Sequence, residues 1–326
     1  MRQEVRVERG GFVGIDVSGD RLDVAFRPGG ERLQVSNDAR GITRLTRMLE
    51  RSQPELIVLE ASGGYEVALL ERLFAKKLPV ALLNPRHVRE FARASGRLAK
   101  TDAIDAEVLA HFAQVMKPEP RQMADPETRK LRALVTRRRQ LIQMVTAELN
   151  RRRHSLEVVR EGFVATIRCC KRQIAAIDKQ LATLIQQTPK FRQKAKLLRS
   201  APGIGGIASA TLLARLPELG TLDRKKIAAL VGVAPYNRDS GKIKGKRAIW
   251  GGRGDVRAVL YMSTLVAVRL NPSLREFHQR LRRAGKSPKM ALTACMRKLI
   301  VILNALLKNE LPFDGNLTSI VGAVSS

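Results

Sequence analysis

Apolar and polar positions divide the first third of the chain into short, distinct segments. Residues 11–17 (GFVGIDV) form an apolar run with an acid near its end, the pattern of a buried strand. Residues 21–26 (RLDVAF) and 31–35 alternate apolar with polar. Ser18-Gly19-Asp20 and Pro28-Gly29-Gly30 supply turns, so a three-stranded antiparallel meander is expected. Ile42, Leu45 and Leu49 give residues 41–49 a helical period. The run at 55–60 (ELIVLE) suits a central strand covered on both faces. A helix over 64–78, a strand over 80–83 and a helix opened by Asn84-Pro85 follow. Thr101 reads as the N-cap of a helix from Asp102 to about Met116, with Ile104, Val108 and Phe112 along one face.

A meander followed by alternating helices and strands describes a mixed α/β sheet. The order β-β-β-α-β-α-β-α is that of a ribonuclease-H-like (RuvC-like) domain. Pro118 and Pro120 break the chain after it. From Pro126 to about Thr188, Leu131, Leu134, Leu141, Val145 and Leu149 form one apolar stripe; Ile174, Ile177, Leu181 and Leu184 form a second, and Gly162 with its neighbouring residues is a candidate interruption. Two long helices in a charged coiled-coil hairpin are predicted, with Arg137-Arg138-Arg139 and Arg151-Arg152-Arg153 outward. Past Pro189 the chain is Gly-rich and helical to Leu311. The expected domains are therefore 1–120, α/β; 121–198, helical coiled coil; and 199–326, mostly α with a helix-hairpin-helix-like element.

Charge adds a division of labour. The chain holds 60 Lys+Arg against 30 Asp+Glu, a formal +30. Residues 1–120 carry 19 against 17, residues 121–200 carry 20 against 6, and residues 201–326 carry 21 against 7. Acids are kept in front, and a polyanion grip lies behind. An anionic membrane is the rival partner. No apolar run long enough to span a bilayer is evident, and no apolar segment of a signal peptide follows the charged MRQEVRVER. Nucleic acid is favoured, with a cytoplasmic, nucleoid-associated location. Cys169, Cys170 and Cys295 have neither zinc nor disulfide spacing and read as small apolar side chains.

Four acids carry the candidate chemistry. Asp16 ends the first strand and Glu60 the central one, and Asp102 and Asp105 share a helical face at i and i+3. First and fourth strands are neighbours in a ribonuclease-H-like sheet, which would bring Asp16 and Glu60 together, with the first turn of a helix supplying the other two. Such carboxylates repel unless cations lie between them; hard oxygen ligands suit Mg²⁺, with Mn²⁺ able to substitute. The bland reading of a strand-end Asp is a turn residue, and of Asp102 a helix N-terminal acid complementing the dipole. Asp20 and Asp23 read as solvated turn and edge residues. Arg86, Arg89, Arg93, Arg97 and Lys100 could hold a nucleic-acid backbone beside the acids, or simply form a solvated face.

GIDV around Asp16, LEASGGY around Glu60, LNPRHVREFARASG at 83–96 and KTDAIDAEVLA at 100–110 resemble the DEDD transposases of bacterial insertion sequences. That family includes the Piv-type DNA invertases and the bridge-RNA-guided recombinases. The resemblance implies that Asp16, Glu60, Asp102 and Asp105 are the metal-binding carboxylates of a RuvC-like domain.

In the C-terminal half, Pro202-Gly203-Ile204-Gly205 within RSAPGIGGIASATLLARL reads as a hairpin whose Gly203 and Gly205 let backbone approach a phosphate, or as an ordinary helix connection. Ser240 follows Arg238-Asp239 and precedes Lys242, Lys244, Lys246 and Arg247, with Arg253 and Arg257 further on. From chemistry alone it is an exposed loop serine without a His base. GVAPYNRDSG with downstream GGRGDVRAVLYM is, however, similar to the second conserved region of the same family. That similarity implies that Ser240 is the nucleophile, transiently linked to a DNA 5′ end, in a site assembled from two protomers. Arg138 and Arg152 on the long helices are further candidate nucleic-acid contacts. Tyr236 and Trp250, near Ser240, could contact a base or sugar, but core packing is the role expected of each.

The implied partners are donor and target duplex DNA, a structured non-coding guide RNA and further copies of the chain, as dimer or tetramer. With aromatics at 4%, the RNA is implied by the resemblance and not by base-stacking residues. Two rivals stay open: a RuvC-like junction resolvase that uses water and needs no Ser240, and a non-catalytic nucleic-acid scaffold.

Overall fold

The computed structural model describes residues 9–96, 102–120, 125–236 and 248–314, apart from the side chains of Asp102 and Ala103. Arg97, Lys100, Arg238, Ser240, Lys242, Lys244, Lys246, Arg247 and the Asp102 side chain therefore lie outside the described residues. The chain divides into two compact units, Met1–Ala124 and Asp125–Ser326.

The first unit runs β1 (Phe12–Val17), β2 (Arg21–Arg27), β3 (Arg32–Ser36), α1 (Ala39–Ser52), β4 (Leu56–Glu60), α2 (Val67–Ala75), β5 (Val80–Leu83), α3 (Pro85–Ala94) and α4 (Asp102–Met116). Its sheet has the order β3-β2-β1-β4-β5. The first three strands are antiparallel, and β4 and β5 run parallel to β1 and to each other. Side chains of a strand alternate between faces, so each strand sorts its residues between two layers. Val13, Ile15, Ile57 and Leu59 pack with Leu45, Leu49, Leu69 and Leu73 of α1 and α2. Phe12, Leu56 and Val58 pack on the other face with Val88, Val108 and Leu109 of α3 and α4. The period of two assigns Gly14, Asp16 and Glu60 to that second face.

Gly14 is where α4 meets the sheet. A Cβ there would stand 2.2 Å from both the Ala106 carbonyl oxygen and the Ala110 nitrogen. Ala25, Ala106 and Ala110 complete this small-residue contact. At the far end of the helix, Lys117 Nζ lies 5.2 Å from the Phe12 ring centroid and 2.9 Å from Glu55 Oε1. The helix therefore runs antiparallel to β1, and its N-terminus sits at the C-terminal end of the strands.

The second unit runs α5 (Pro126–Arg153), a 3₁₀ turn (Glu157–Val159), α6 (Arg160–Gln187), α7 (Pro189–Ser200), α8 (Gly206–Arg215), α9 (Arg224–Val231), β6 (Pro235–Tyr236), β7 (Ala248–Ile249), α10 (Gly254–Leu270), α11 (Pro272–Arg283) and α12 (Pro288–Asn309). The long hairpin turns between Arg153 and Arg160, just before Gly162, which is itself an exposed residue inside α6. A single exposed helical glycine costs only about 1 kcal/mol and does not by itself end a helix. Leu131, Leu141, Cys170 and Leu181 of the hairpin join one core with Leu212, Leu260, Leu299 and Leu303. Hairpin and C-terminal helices thus fall in a single unit.

One expectation needs correction. Pro288–Asn309 is a 22-residue helix long and apolar enough to cross a bilayer, although no such run was expected. Scattered polar residues break its apolar run when read by eye, but 61% of the apolar window is buried inside the unit. Ala291, Cys295, Leu299, Ile300 and Leu303 make it a core helix here.

Asp125 opens the second unit as N-cap of α5. Its carboxylate accepts from Thr128 N and Thr128 Oγ1, both at 2.9 Å, and lies 2.5 Å from Lys190 Nζ of α7. Partial burial pushes its carboxyl up, but Lys190 and Thr128 outweigh this and hold it well below the ordinary carboxylate range.

Two outcomes are expected. Gly14→Ala forces α4 off β1 and lowers unfolding free energy by about 1–3 kcal/mol, the usual cost of overpacking, as read from urea unfolding. Asp125→Ala costs about 1 kcal/mol at neutral pH, the usual loss for a cap. A depressed carboxyl contributes stability above its unfolded value of about 3.9, and that contribution fades as pH falls through the folded value. The gap between wild type and Asp125→Ala in thermal melts should therefore close in acid.

Candidate active site

The register of the central strands sets Asp16 beside Glu60. Ile15 pairs with Leu59 in the parallel β1–β4 ladder, and one residue further on each strand gives the two acids. Both are half-buried, on the face that α4 covers. Their level relative to α4 follows from Gly14, which lies under the turn from Ala106 to Ala110. Asp16 is two strand residues beyond Gly14, about 6.6 Å. An antiparallel helix rising about 1.5 Å per residue covers that distance in four to five residues. Counting back from the middle of the 106–110 turn reaches the stretch between Asp102 and Asp105. Asp105 is also half-buried. Asp16, Glu60 and Asp105 thus lie near one level, and the backbone of Asp102 follows within one helical turn. Among the described residues, no three His, Cys, Asp or Glu side chains form a group that could hold a metal ion. Asp16, Glu60 and Asp105 do not by themselves form such a group, and the Asp102 side chain lies outside the described residues. In donor chemistry the four acids fit a hard divalent cation, since all offer carboxylate oxygens.

A fifth acid is present. Asp23 was expected to be a solvated edge residue; it is instead only 8% exposed and directly opposite Asp16 in the β1–β2 ladder. Opposed residues of an antiparallel pair share a face, and like charges there repel. Gln34 Nε2 donates to Asp23 Oδ1 at 2.7 Å, and Arg21 Nε lies 3.2 Å from Oδ2, which partly neutralises the charge. The reason is α4: it covers the face of β2 that alternation alone assigns to water. Ala25, two residues on, is the signal that could have revealed this, because a small residue on a strand's nominally exposed face marks close packing.

The loop leaving Glu60 is fastened by Glu66, another buried acid the sequence reading passed over. Its Oε2 accepts from Ser62 N at 3.2 Å, Ser62 Oγ at 2.9 Å and Gly64 N at 2.9 Å. Burial pushes its carboxyl up, but these hydrogen bonds prevail and hold it below the ordinary value. Gly63 and Gly64 take φ of 77° and 120°, which side-chain-bearing residues rarely adopt.

The expected cationic contacts separate into two groups. Arg89 and Arg152 are exposed, as is Arg86, whose Nε lies 2.9 Å from Glu90 Oε1 on the next turn of α3. Arg138, Arg253 and Arg257 are engaged inside the second unit. Arg138 reaches Asp178 at 2.5 and 3.3 Å. Arg253 grips Glu218 with two bonds of 2.6 Å and donates to the Arg215 carbonyl at 2.7 Å. Arg257 donates to the Gly251 carbonyl at 2.6 Å. A guanidinium fork satisfies a carboxylate or carbonyl so well that these three act first as struts between helices.

Gly203 and Gly205 also part company. A Cβ on Gly203 would meet the Ser263 carbonyl oxygen at 2.7 Å and Ala267 N at 2.8 Å, so packing on α10 requires that glycine. Gly205 faces open space. Tyr236 in β6 and Trp250 just after β7, both expected in the core, are 47% and 56% exposed, and the paired β6 and β7 bracket residues 237–247.

Two family models match the chain, the first running across the boundary between the two units. A transposase family model of the DEDD type of IS110 matches residues 13–160. A second, the transposase IS116/IS110/IS902 family, matches residues 195–279. The chain is similar to the pilin gene-inverting proteins of Moraxella bovis and Moraxella lacunata, each 28% identical over 318 residues, covering 93% of this chain and 97% of the relative. It also resembles an uncharacterized 42 kDa protein of insertion element IS900 from Mycobacterium paratuberculosis, 30% identical over 166 residues, 48% of this chain and 41% of the relative. With both units matched by models of one lineage, the chain belongs to the IS110-type transposase family.

Proposed function

We propose that this transposase is a divalent-metal-dependent DNA recombinase whose first unit is a ribonuclease-H-like catalytic domain. The observation that carries the reading is the Gly14 contact, with the β1–β4 register. Together they support a shared level for Asp16, Glu60, Asp102 and Asp105 at the strands' C-terminal ends. These four would hold Mg²⁺, with Mn²⁺ substituting; the ion supplies charge neutralisation for phosphodiester transfer. Asp23, held by Gln34 and Arg21, keeps negative potential next to Asp16. Glu66 restrains the loop behind Glu60 so that its carboxylate does not swing away.

In the same reading Ser240 is the nucleophile. Its Oγ bonds to the scissile phosphorus, the P–O3′ bond breaks, the hydroxyl proton leaves, and a 3′-hydroxyl departs. The 5′ end is then held on Ser240 until another 3′-hydroxyl attacks and frees the serine. Lys242, Lys244, Lys246 and Arg247 would stabilise the charge on the phosphorane. Exchange between donor and target duplexes requires several such centres, so the working species is a homo-oligomer in which one protomer's acids serve another's Ser240. A structured guide RNA would select the DNA by pairing, with the protein gripping backbone. The net +30 is consistent with that load of phosphate.

The test compares Ser240→Ala with Asp102→Ala on donor and target duplexes, guide RNA and Mg²⁺, following both cleavage and a covalent protein–DNA adduct. Both variants should lose cleavage by more than 10²-fold, since each removes a group used in the transition state. The adduct should vanish in Ser240→Ala. Unchanged cleavage in Ser240→Ala turns the reading into a water-using resolvase. Full cleavage by Asp102→Ala removes Asp102 from the catalytic set, and no cleavage by the wild type leaves only a scaffold.

A further inference from the structure

Helices α6, α7 and α8 of the second unit enclose a groove of about 810 Å³. Arg192, Lys196 and Arg199 of α7 line it at i, i+4 and i+7, one helix face. All three are exposed, and none is ion-paired among the described residues; the neighbouring pairs use Lys190 and Arg138 instead. The acid lining the groove, Asp178, is the one that Arg138 holds. Positive charge in the groove is therefore uncompensated. The start of α8 opens on the same space through Gly206. Its N-cap, Gly205, carries no side chain to satisfy the first N–H groups, and both glycines face open space where a Cβ would stand.

We propose that this groove is a phosphate-backbone site for duplex DNA, a reading that rests on the proposed recombinase function. Three cations spaced about 6 and 4.5 Å along a helix axis form a line, not a pocket for one anion. A line of unpaired cations suits successive phosphates of one strand. The open N-terminus of α8 adds fixed donors and a favourable dipole at one end of that line. The apolar floor, with Leu181, Ile185 and Ile207, suits sugar rather than a second charged row. Contact of this kind is independent of base sequence and leaves sequence choice to other elements.

The experiment titrates the full chain against a short mixed-sequence DNA duplex by fluorescence anisotropy over a series of NaCl concentrations. Each neutralised phosphate contributes about 0.9 to the slope of log K against log [salt], so R192Q/K196Q/R199Q should lower that slope by about 2–3. The control R40Q/R44Q/R47Q removes three exposed cations of identical spacing from α1 and should leave the slope within about 1 of wild type. Gly205→Asp supplies a favourable cap in open space. It should hold or raise the melting temperature while weakening duplex binding several-fold. An unchanged slope in the α7 variant, an equal drop in the α1 control, or undiminished binding by Gly205→Asp overturns the groove assignment alone. Loss confined to an RNA duplex run in parallel transfers the site to RNA and overturns it too. A wild-type chain that does not bind duplex DNA overturns the proposed function along with it.

Discussion

Where β1 passes beneath α4, a residue without a side chain lets two backbones touch. Gly14 meets Ala106 and Ala110 so closely that any Cβ would push the helix away. That contact fixes the height of α4 above the sheet and its axial position. Lys117, against Phe12 and Glu55, pins the other end. Acids on separate elements can share a reaction centre only if those elements cannot slide, and interiors packed to crystal density do not slide easily. The small-residue contact is thus the mechanical basis of the proposed site, and the acids add a repulsion that the packing has to withstand. Asp16 facing Asp23 is the sharpest case, eased by Arg21 and Gln34.

The second unit uses its positive charge for two different purposes. Arg138 and Arg253 form well-made bonds to Asp178 and Glu218, and Arg257 to the Gly251 carbonyl. Such partly buried groups tie helices together and contribute little field outside. Arg192, Lys196 and Arg199 have no such partner among the described residues, and exposed unpaired cations are the ones that displace counterions from a polyanion. Counting Lys and Arg along the chain cannot separate these uses. The separation depends on which acids a fold delivers to each guanidinium, and that is a tertiary property.

Much of the first unit was legible because its strands are short and differently patterned. The uninterrupted LIVLE of β4 marks a doubly covered strand, and the alternation in RLDVAF marks β2. Asp102–Met116 came out with its expected bounds because Ile104, Val108 and Phe112 keep the helical period. Asp23 was misjudged because alternation tells which residues share a face but not what covers it. Gly162 marked the neighbourhood of the hairpin turn because glycine is a local cue, and the chain turns a few residues earlier, where Leu156 and Val158 stand 79% and 85% exposed. Core packing was favoured for Tyr236 and Trp250 by residue type, yet a two-residue strand and the residue following its partner strand have no interior to offer them. Of the candidate site, the places of Asp16 and Glu60 near strand ends and of Asp102 at a helix start were readable from the local pattern. Glu66 and Asp23 were not, because their roles depend on hydrogen bonds and on register across strands.

The account stands on carboxylates from two strands and one helix acting as a single cation-binding set. The most direct measurement is Mn²⁺ binding to the full chain, followed by the electron-spin-resonance signal of the free ion. Wild type should take up Mn²⁺, Mg²⁺ should displace it, and Asp16→Asn, Glu60→Gln and Asp105→Asn should each weaken uptake, though they lie on three different elements. Uptake that is absent in wild type, or unaltered in all three variants, contradicts it.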